Sequence, residues 1–302
     1  MKRLISCYAS DFKDMTREAF KQSILASEGR TIVAETVVTA APLLEGVTNA
    51  EVMAAFGADL LVLNEFDVMQ PAIVGMDPAE SYPGGNLIAE IKRLTGRPIG
   101  INLEPVDTSL EVLDQRVVIS EGRQATSATF QLAQQLGVDF VMLTGNPSTG
   151  VSNKAIRQSI ATGREHFKGL LFAGKMHGAG LSEKVLNFEE LQAYIELGAD
   201  GVLIPAVGTV PGIGEDEARS ACAAIKAMGG LVMSTIGTSQ ESADEATMRE
   251  FGLSNKRVGS DMHHIGDGGY GRMPIPENIT ALSIVVRGKR HTYFRMAQSL
   301  NR

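Results

Sequence analysis

The tetrapeptide Gly137-Val138-Asp139-Phe140 closes a helical pattern and opens an apolar run, and the chain repeats it as Gly57-Ala58-Asp59-Leu60 and Gly198-Ala199-Asp200-Gly201. A glycine in the left-handed conformation stops a helix, and a short polar residue suits the turn into a buried strand. Gly252-Leu253-Ser254, ahead of Lys256 to Gly259, reads as a degraded fourth copy. One such junction says little. Repeated along the chain, it predicts αβ units and a parallel sheet.

Working outward from these junctions, strands are expected near residues 31–38, 60–64, 98–103, 139–144, 169–174, 201–205, 231–235 and 256–260. Helical patterns fall between them at about 49–56, 84–95, 124–136, 152–165, 188–197, 215–228 and 242–251, with a last helical region from about 276. Residues 12–28 carry apolar residues near helical spacing and form part of a helical extension, 1–30, ahead of the main fold. Eight βα units in roughly 250 residues predict an α/β fold, a (β/α)8 TIM barrel with an N-terminal extra helix. The barrel would be a single domain over 1–302. A doubly wound open sheet competes, but no glycine-rich dinucleotide fingerprint supports it. Segments 66–83 and 104–123 exceed the about 2–6 residues usual for βα loops and follow strands, so they are expected as insertions over the active face. Within the second, 110–119 could instead form a small hairpin or an extra strand serving oligomer contact.

Bulk properties narrow the function. Hydrophobic residues make up 44%, enough for a sizeable core. A net charge of -7 disfavours nucleic acid or an acidic membrane as partner, since both call for a basic surface. Cys7 and Cys222 are too few for a disulfide scaffold or zinc cluster, which predicts a reduced, cytoplasmic protein. No apolar run approaches the roughly 20 residues that span a bilayer. The expected partners are a small-molecule substrate and further copies of the chain as a homo-oligomer.

The chemistry is expected at the strand ends. In GLLFAGKMHGAG, Gly169 to Gly180, an apolar run ends in Lys175 and His177, two residues apart and so on one face if the strand continues. Catalytic groups collect at the carboxyl end of barrel strands. Glu35, Glu65, Asp67, Asn102, Glu104, Thr144 and Asn146 stand at or just beyond the other strand ends. A lysine with a lowered pKa could form a Schiff base, and His177 could exchange protons near neutral pH. Glu35 and Glu65 complete the candidate catalytic set, while Asp67 and Glu104 are candidate ligands for Mg²⁺, a hard ion that prefers oxygen. Lys175 could equally neutralise Glu35 or Glu104 in a structural ion pair. Gly237-Thr238-Ser239 with Gly259-Ser260 offers small residues after strands seven and eight, where many barrels bind phosphate. His263 joins that candidate substrate-binding set, with Asn102, Thr144 and Asn146. Zinc is not indicated, because the histidines lack HxxxH or HxH spacing.

Several segments, in order, resemble the BtpA family of TIM barrels, relatives in fold of the ribulose-phosphate-binding barrels. They are PIGINL (98–103), GVDFVML (137–143), LFAGKMHGAG (171–180), GADGVLIPAVGTVPG (198–212) and RVGSDMHHIGDGG (257–269). The N-terminal third departs from that family, and Lys175 stands where the family typically shows an aspartate before its histidine. The resemblance implies the barrel fold and phosphate handling, and names no reaction. The overall layout is also similar to phosphoenolpyruvate mutase and isocitrate lyase barrels. The expected function is a metabolic enzyme acting on a small phosphorylated or carboxylated metabolite, with lyase, aldolase or isomerase chemistry through an enolate-like intermediate. The alternatives are a non-catalytic metabolite- or partner-binding barrel of BtpA type and a metal-assisted hydrolase.

Overall fold

The computed structural model describes residues 2–113, 115–178 and 181–302; Gly180, expected to flank the strand-five end, lies outside them. Eight parallel strands close into a barrel in chain order: β1 Thr31–Val37, β2 Leu60–Asn64, β3 Ile99–Asn102, β4 Phe140–Leu143, β5 Leu170–Gly174, β6 Gly201–Pro205, β7 Leu231–Ile236 and β8 Met262–Ile265. Around them lie α2 Asn49–Ala55, α3 Leu87–Thr95, α4 Ser127–Leu136, α5 Asn153–His166, α6 Phe188–Glu196, α7 Glu215–Ala227, α8 Glu245–Val258 and α9 Pro276–Met296. The chain is thus a (β/α)8 barrel.

Alternation along each strand divides the apolar side chains into two populations. Val33, Val62, Phe140, Met142, Phe172, Leu203, Met233 and Met262 fill the barrel interior. Phe20 and Ile24 of the N-terminal helix α1, Arg17–Leu25, join that interior cluster, so the extra helix plugs the amino end. The residues between them, such as Ile32, Leu61, Val141, Leu171 and Val202, pack outward against the helices. Buried on both sides, the strands read as nearly continuous apolar runs.

The Gly-x-Asp junctions act as latches at the amino end. Asp59 Oδ2 accepts the Ile32 amide at 2.8 Å, Asp139 Oδ2 that of Ile99 at 2.7 Å, and Asp200 Oδ2 that of Leu171 at 2.9 Å. In each case the aspartate's own N–H returns a bond to the carbonyl of the same residue. Each latch therefore ties the start of an even strand to the odd strand before it. A cation closes it from outside: Arg287 and Arg295 on Asp59, Lys92 on Asp139, Arg17 and Arg164 on Asp200.

The fourth latch lies seven residues beyond the expected Gly252 copy, at Gly259-Ser260-Asp261-Met262. Gly259 has a φ of 94° and caps α8, while Asp261 Oδ2 accepts the Val232 amide at 3.0 Å and Oδ1 holds Lys226 at 2.8 Å. Strand eight is therefore 262–265 rather than 256–260, a stretch that instead ends α8 and turns toward the sheet. Gly252 lies inside α8. A Cβ there would sit 2.5 Å from Val285 Cγ1, so glycine serves close contact with α9 and does not stop the helix.

The long segments after β2 and β3 brace neighbouring loops. Val74 N–H donates to Val38 O, and Val117 N–H to Ser148 O, at 2.9 and 3.0 Å. The described residues of 110–119 contain neither the expected hairpin nor an extra strand.

Candidate active site

The inward parity that places Val33 in the barrel also sends Glu35 inward, near the carboxyl end of β1. On the neighbouring β8, Met262 faces inward, and so does His264. Glu35 and His264 are both buried, and His264 Nε2 lies 2.8 Å from Glu35 Oε2. Asn102, from the end of β3, donates Nδ2 to Glu35 Oε1 at 2.5 Å. The carboxylate is thus held from two sides. With the His264 proton on Nε2 toward Glu35, Nδ1 is left as an acceptor, and it has no partner.

Above this floor lies a cavity of about 350 Å³. Glu35, Asn64, Asn102, Thr144, Asn146, His177, Glu241 and Asp267 line it, together with the backbone turns 145–148, 237–239 and 266–268. Asn64 Nδ2 donates to Asp267 Oδ2 at 2.7 Å and to Asn146 Oδ1 at 2.9 Å. Asn146 Nδ2 in turn donates to Glu104 Oε1 at 2.8 Å, and Glu104 holds Arg123 at 3.1 Å. A polar relay therefore runs from Asp267 outward to Arg123.

Electrostatically the cavity is lopsided. Burial, reinforced by the Glu35 charge, pushes the Asp267 carboxyl well above the ordinary range despite the bond from Asn64. Burial likewise raises Glu241, whose Oε2 has no partner. Gly268 permits that carboxyl to approach, since a Cβ there would lie 2.2 Å from Glu241 Oε1. Burial lowers His177, with Glu35 opposing and Lys175 assisting, which favours a neutral imidazole. Among the described residues no lysine or arginine lines the cavity. Ser148, Thr238 and Ser239, all on its wall, hold φ values of 61°, 57° and 66°, which non-glycine residues seldom adopt. Such strain commonly collects at functional sites.

Of the residues expected from sequence, Glu35, Asn102, Thr144, Asn146, His177, Gly237, Thr238 and Ser239 meet at this cavity. Others do not. Lys175 leaves the strand axis after Gly174, and its buried ammonium pairs with Glu183 instead of Glu35 or Glu104. Glu65 accepts from Thr39 Oγ1 at 2.6 Å and pairs with Arg272 at 3.3 Å outside the lining. Asp67 Oδ1 accepts the amides of Met69 and Gln70 in a local turn, while Glu104 is taken up by Asn146 and Arg123. The expected Mg²⁺ pair thus faces separate partners, and among the described residues no three His, Cys, Asp or Glu side chains are grouped to hold a metal ion. His263 points outward to the Gly29 carbonyl at 2.8 Å, because adjacent strand residues face opposite ways. Gly259 and Ser260 sit at the amino end of β8, across the barrel from the turn 237–239, and cannot share a substrate site with it.

The sequence reading left Asn64, Glu241, His264 and Asp267 out of the site. His264 was accessible by parity once β8 is set at 262–265. Glu241 stands in a single 3-10 turn, 240–242, and Asp267 in a loop, where no periodicity announces their direction.

A family model described as Domain of unknown function (DUF7916) matches residues 5–302. No curated protein matches the chain in sequence. Among solved structures the chain is similar to an archaeal fructose 1,6-bisphosphate aldolase at 16% identity and a TM-score of 0.51, over 86% of this chain and 95% of that one. It is also similar to a putative lyase/mutase from Burkholderia cenocepacia J2315, at 18% identity and TM-score 0.49 over 83% of each chain. A third is 2,3-dimethylmalate lyase, described as a PEP mutase/isocitrate lyase superfamily member, at 13% identity and TM-score 0.49 over 82% of this chain and 80% of that one. At such identities the likeness concerns the fold alone. None of these three is described as a BtpA-family protein.

Proposed function

The chain belongs to the DUF7916 family, and on that premise we propose that it is an enzyme moving a proton beside a carbonyl group of a small hydroxylated substrate. This is the chemistry of aldolase-type lyases and of isomerases, and it passes through an enolate-like intermediate. The observation that carries the reading is the pairing of Glu35 and Asp267 in one cavity at the carboxyl end of the barrel, with environments that differ. Glu35 accepts from Asn102 and, with the His264 proton on Nε2, from His264, and is placed to act as base. Asp267 keeps its proton to a higher pH and is placed to donate it to the developing oxyanion. His177, neutral at the rim, can carry a proton between substrate positions.

The lining also argues for the charge of the substrate. Among the described residues no lysine or arginine lines the cavity, so a phosphate or carboxylate would bring its charge beside Glu35 with only the amides and hydroxyls of 237–239 to balance it. An uncharged hydroxycarbonyl compound fits better. Lys175, committed to Glu183, takes no part as an imine-forming lysine in this reading.

The test is deuterium incorporation from D₂O, followed by NMR, across a panel of hydroxyketones, hydroxyaldehydes and 2-oxo acids. Exchange next to the carbonyl is expected, falling by roughly 10²–10⁴ in Glu35→Gln and in Asp267→Asn. Undiminished exchange in both variants removes the assignment of these residues. No exchange with any compound favours a non-catalytic binding barrel.

A further inference from the structure

A second cavity, of about 320 Å³, adjoins the first, and His177 and Gly178 line both. Its chemistry is different. Val185 and Leu186 from the loop after β5 face Val210, Pro211 and Ile213 from the loop after β6. Besides the neutral His177, the ionisable groups in its lining are Lys184 and Glu217, which pair with each other at 3.1 Å, with Lys184 largely exposed at the rim. A chamber of this composition offers little to a sugar hydroxyl or a phosphate and rewards hydrocarbon.

We propose that this chamber is a subsite for an apolar chain of the substrate, whose hydroxylated head occupies the polar cavity, with His177 at the junction between them. The inference rests on the proton-transfer reading only for what happens at the head; the chamber and the lining it shares with the polar cavity stand on geometry. The substrate class becomes a hydroxycarbonyl compound carrying an unbranched or lightly branched hydrocarbon tail. Burial of each tail methylene should strengthen binding about fourfold.

Binding can be measured without turnover by titrating the full chain, labelled at Ile, Leu and Val methyls, with propane-, butane-, pentane- and hexane-1,2-diol. The dissociation constant should fall about fourfold for each added carbon, and the Val185, Val210 and Ile213 methyl signals should move with the longer diols. Ile213→Ser and the milder Val210→Ala, each checked for an unchanged melting temperature, should flatten that dependence while leaving propane-1,2-diol affinity as it was. Affinity independent of chain length, or a dependence that survives both variants, overturns the subsite. Both measurements on the unsubstituted chain separate the two proposals. A chain-length dependence that persists in a protein showing no deuterium exchange keeps the subsite and removes the reaction; exchange without the dependence does the reverse.

Discussion

Both ends of the barrel gather carboxylates, yet they put them to opposite uses. At the amino end Asp59, Asp139, Asp200 and Asp261 each accept a strand amide and face a lysine or arginine. At the carboxyl end Glu35, Glu241 and Asp267 share a cavity that no lysine or arginine lines among the described residues. The consequence is visible in Asp59 and Asp267. Burial alone would raise the Asp59 carboxyl, but Arg287 and Arg295 outweigh it and hold it below the ordinary value. Asp267 has burial and the Glu35 charge acting together, and it rises. Two buried guanidinium groups lower Asp59 where it ties strands together, whereas burial raises Asp139 despite Lys92 and raises Asp267 with the Glu35 charge assisting. Positive φ at non-glycine residues leans the same way: Glu65, Ser148, Thr238, Ser239 and Arg272 follow strand ends, while Glu28 precedes β1 at the amino end.

The most severe way to test this division is at Asp59, where the carboxylate and both guanidinium groups are fully buried. Asp59→Asn keeps an acceptor for the Ile32 amide but leaves Arg287 and Arg295 without their counter-charge. Removing one member of a buried ion pair costs about 3–5 kcal/mol, so denaturant unfolding should show a loss of that size. A loss under about 1 kcal/mol would mean that the cations are satisfied by carbonyls alone, and the contrast between the two ends would fail.

His263 gives a smaller effect with a defined pH window. It is the neighbour of the site's His264 but faces the helices, and burial lowers it from 6.5 to about 4. Its folded pKa lies below its unfolded one, so between these values the unfolded chain binds the extra proton. Stability is full above about pH 6.5, is lost as pH falls toward 4, and shows no further loss from this group below that. At 1.36 kcal/mol per unit the span amounts to about 3 kcal/mol. His263→Gln should therefore flatten part of the fall in melting temperature between pH 7 and pH 4.5. An unchanged pH profile would place His263 in contact with water.

The two ends were not equally legible in the sequence. The amino-end latches follow a local grammar, glycine to stop the helix and aspartate to enter the strand, and local grammar survives in a linear reading. Its one failure, at Gly252, is instructive: that glycine answers to Val285 on another helix, a contact no window around residue 252 contains. The error shifted β8 and with it the direction of His263 and His264. At the carboxyl end, Glu35, Asn102, Asn146 and His177 could be found because they stand at or just past strand ends. Asp267 and Glu241 come from a loop and a 3-10 turn that reach the cavity only through the closed barrel. The partner of Lys175 is likewise set by a loop's path to Glu183, not by strand parity.

The smallest expected effect asks which part of a latch carries its energy. Lys226 closes the Asp261 latch much as Arg287 and Arg295 close that of Asp59, but its side chain is 42% exposed. It donates to Asp261 Oδ1 at 2.8 Å and to the Gly259 carbonyl at 3.0 Å, both close to solvent. Water can replace it there, and an ion pair so placed contributes under about 1 kcal/mol. Lys226→Met should lower stability by that little in denaturant unfolding, and added salt should weaken the wild type's advantage further. Asp261→Ala, by contrast, removes the acceptor of the buried Val232 amide and should cost about 1–3 kcal/mol. If the two substitutions cost the same, the cation and not the strand amide is what the aspartate serves. The four junctions would then be ion-pair sites placed at strand starts, and not devices that tie one strand to the next.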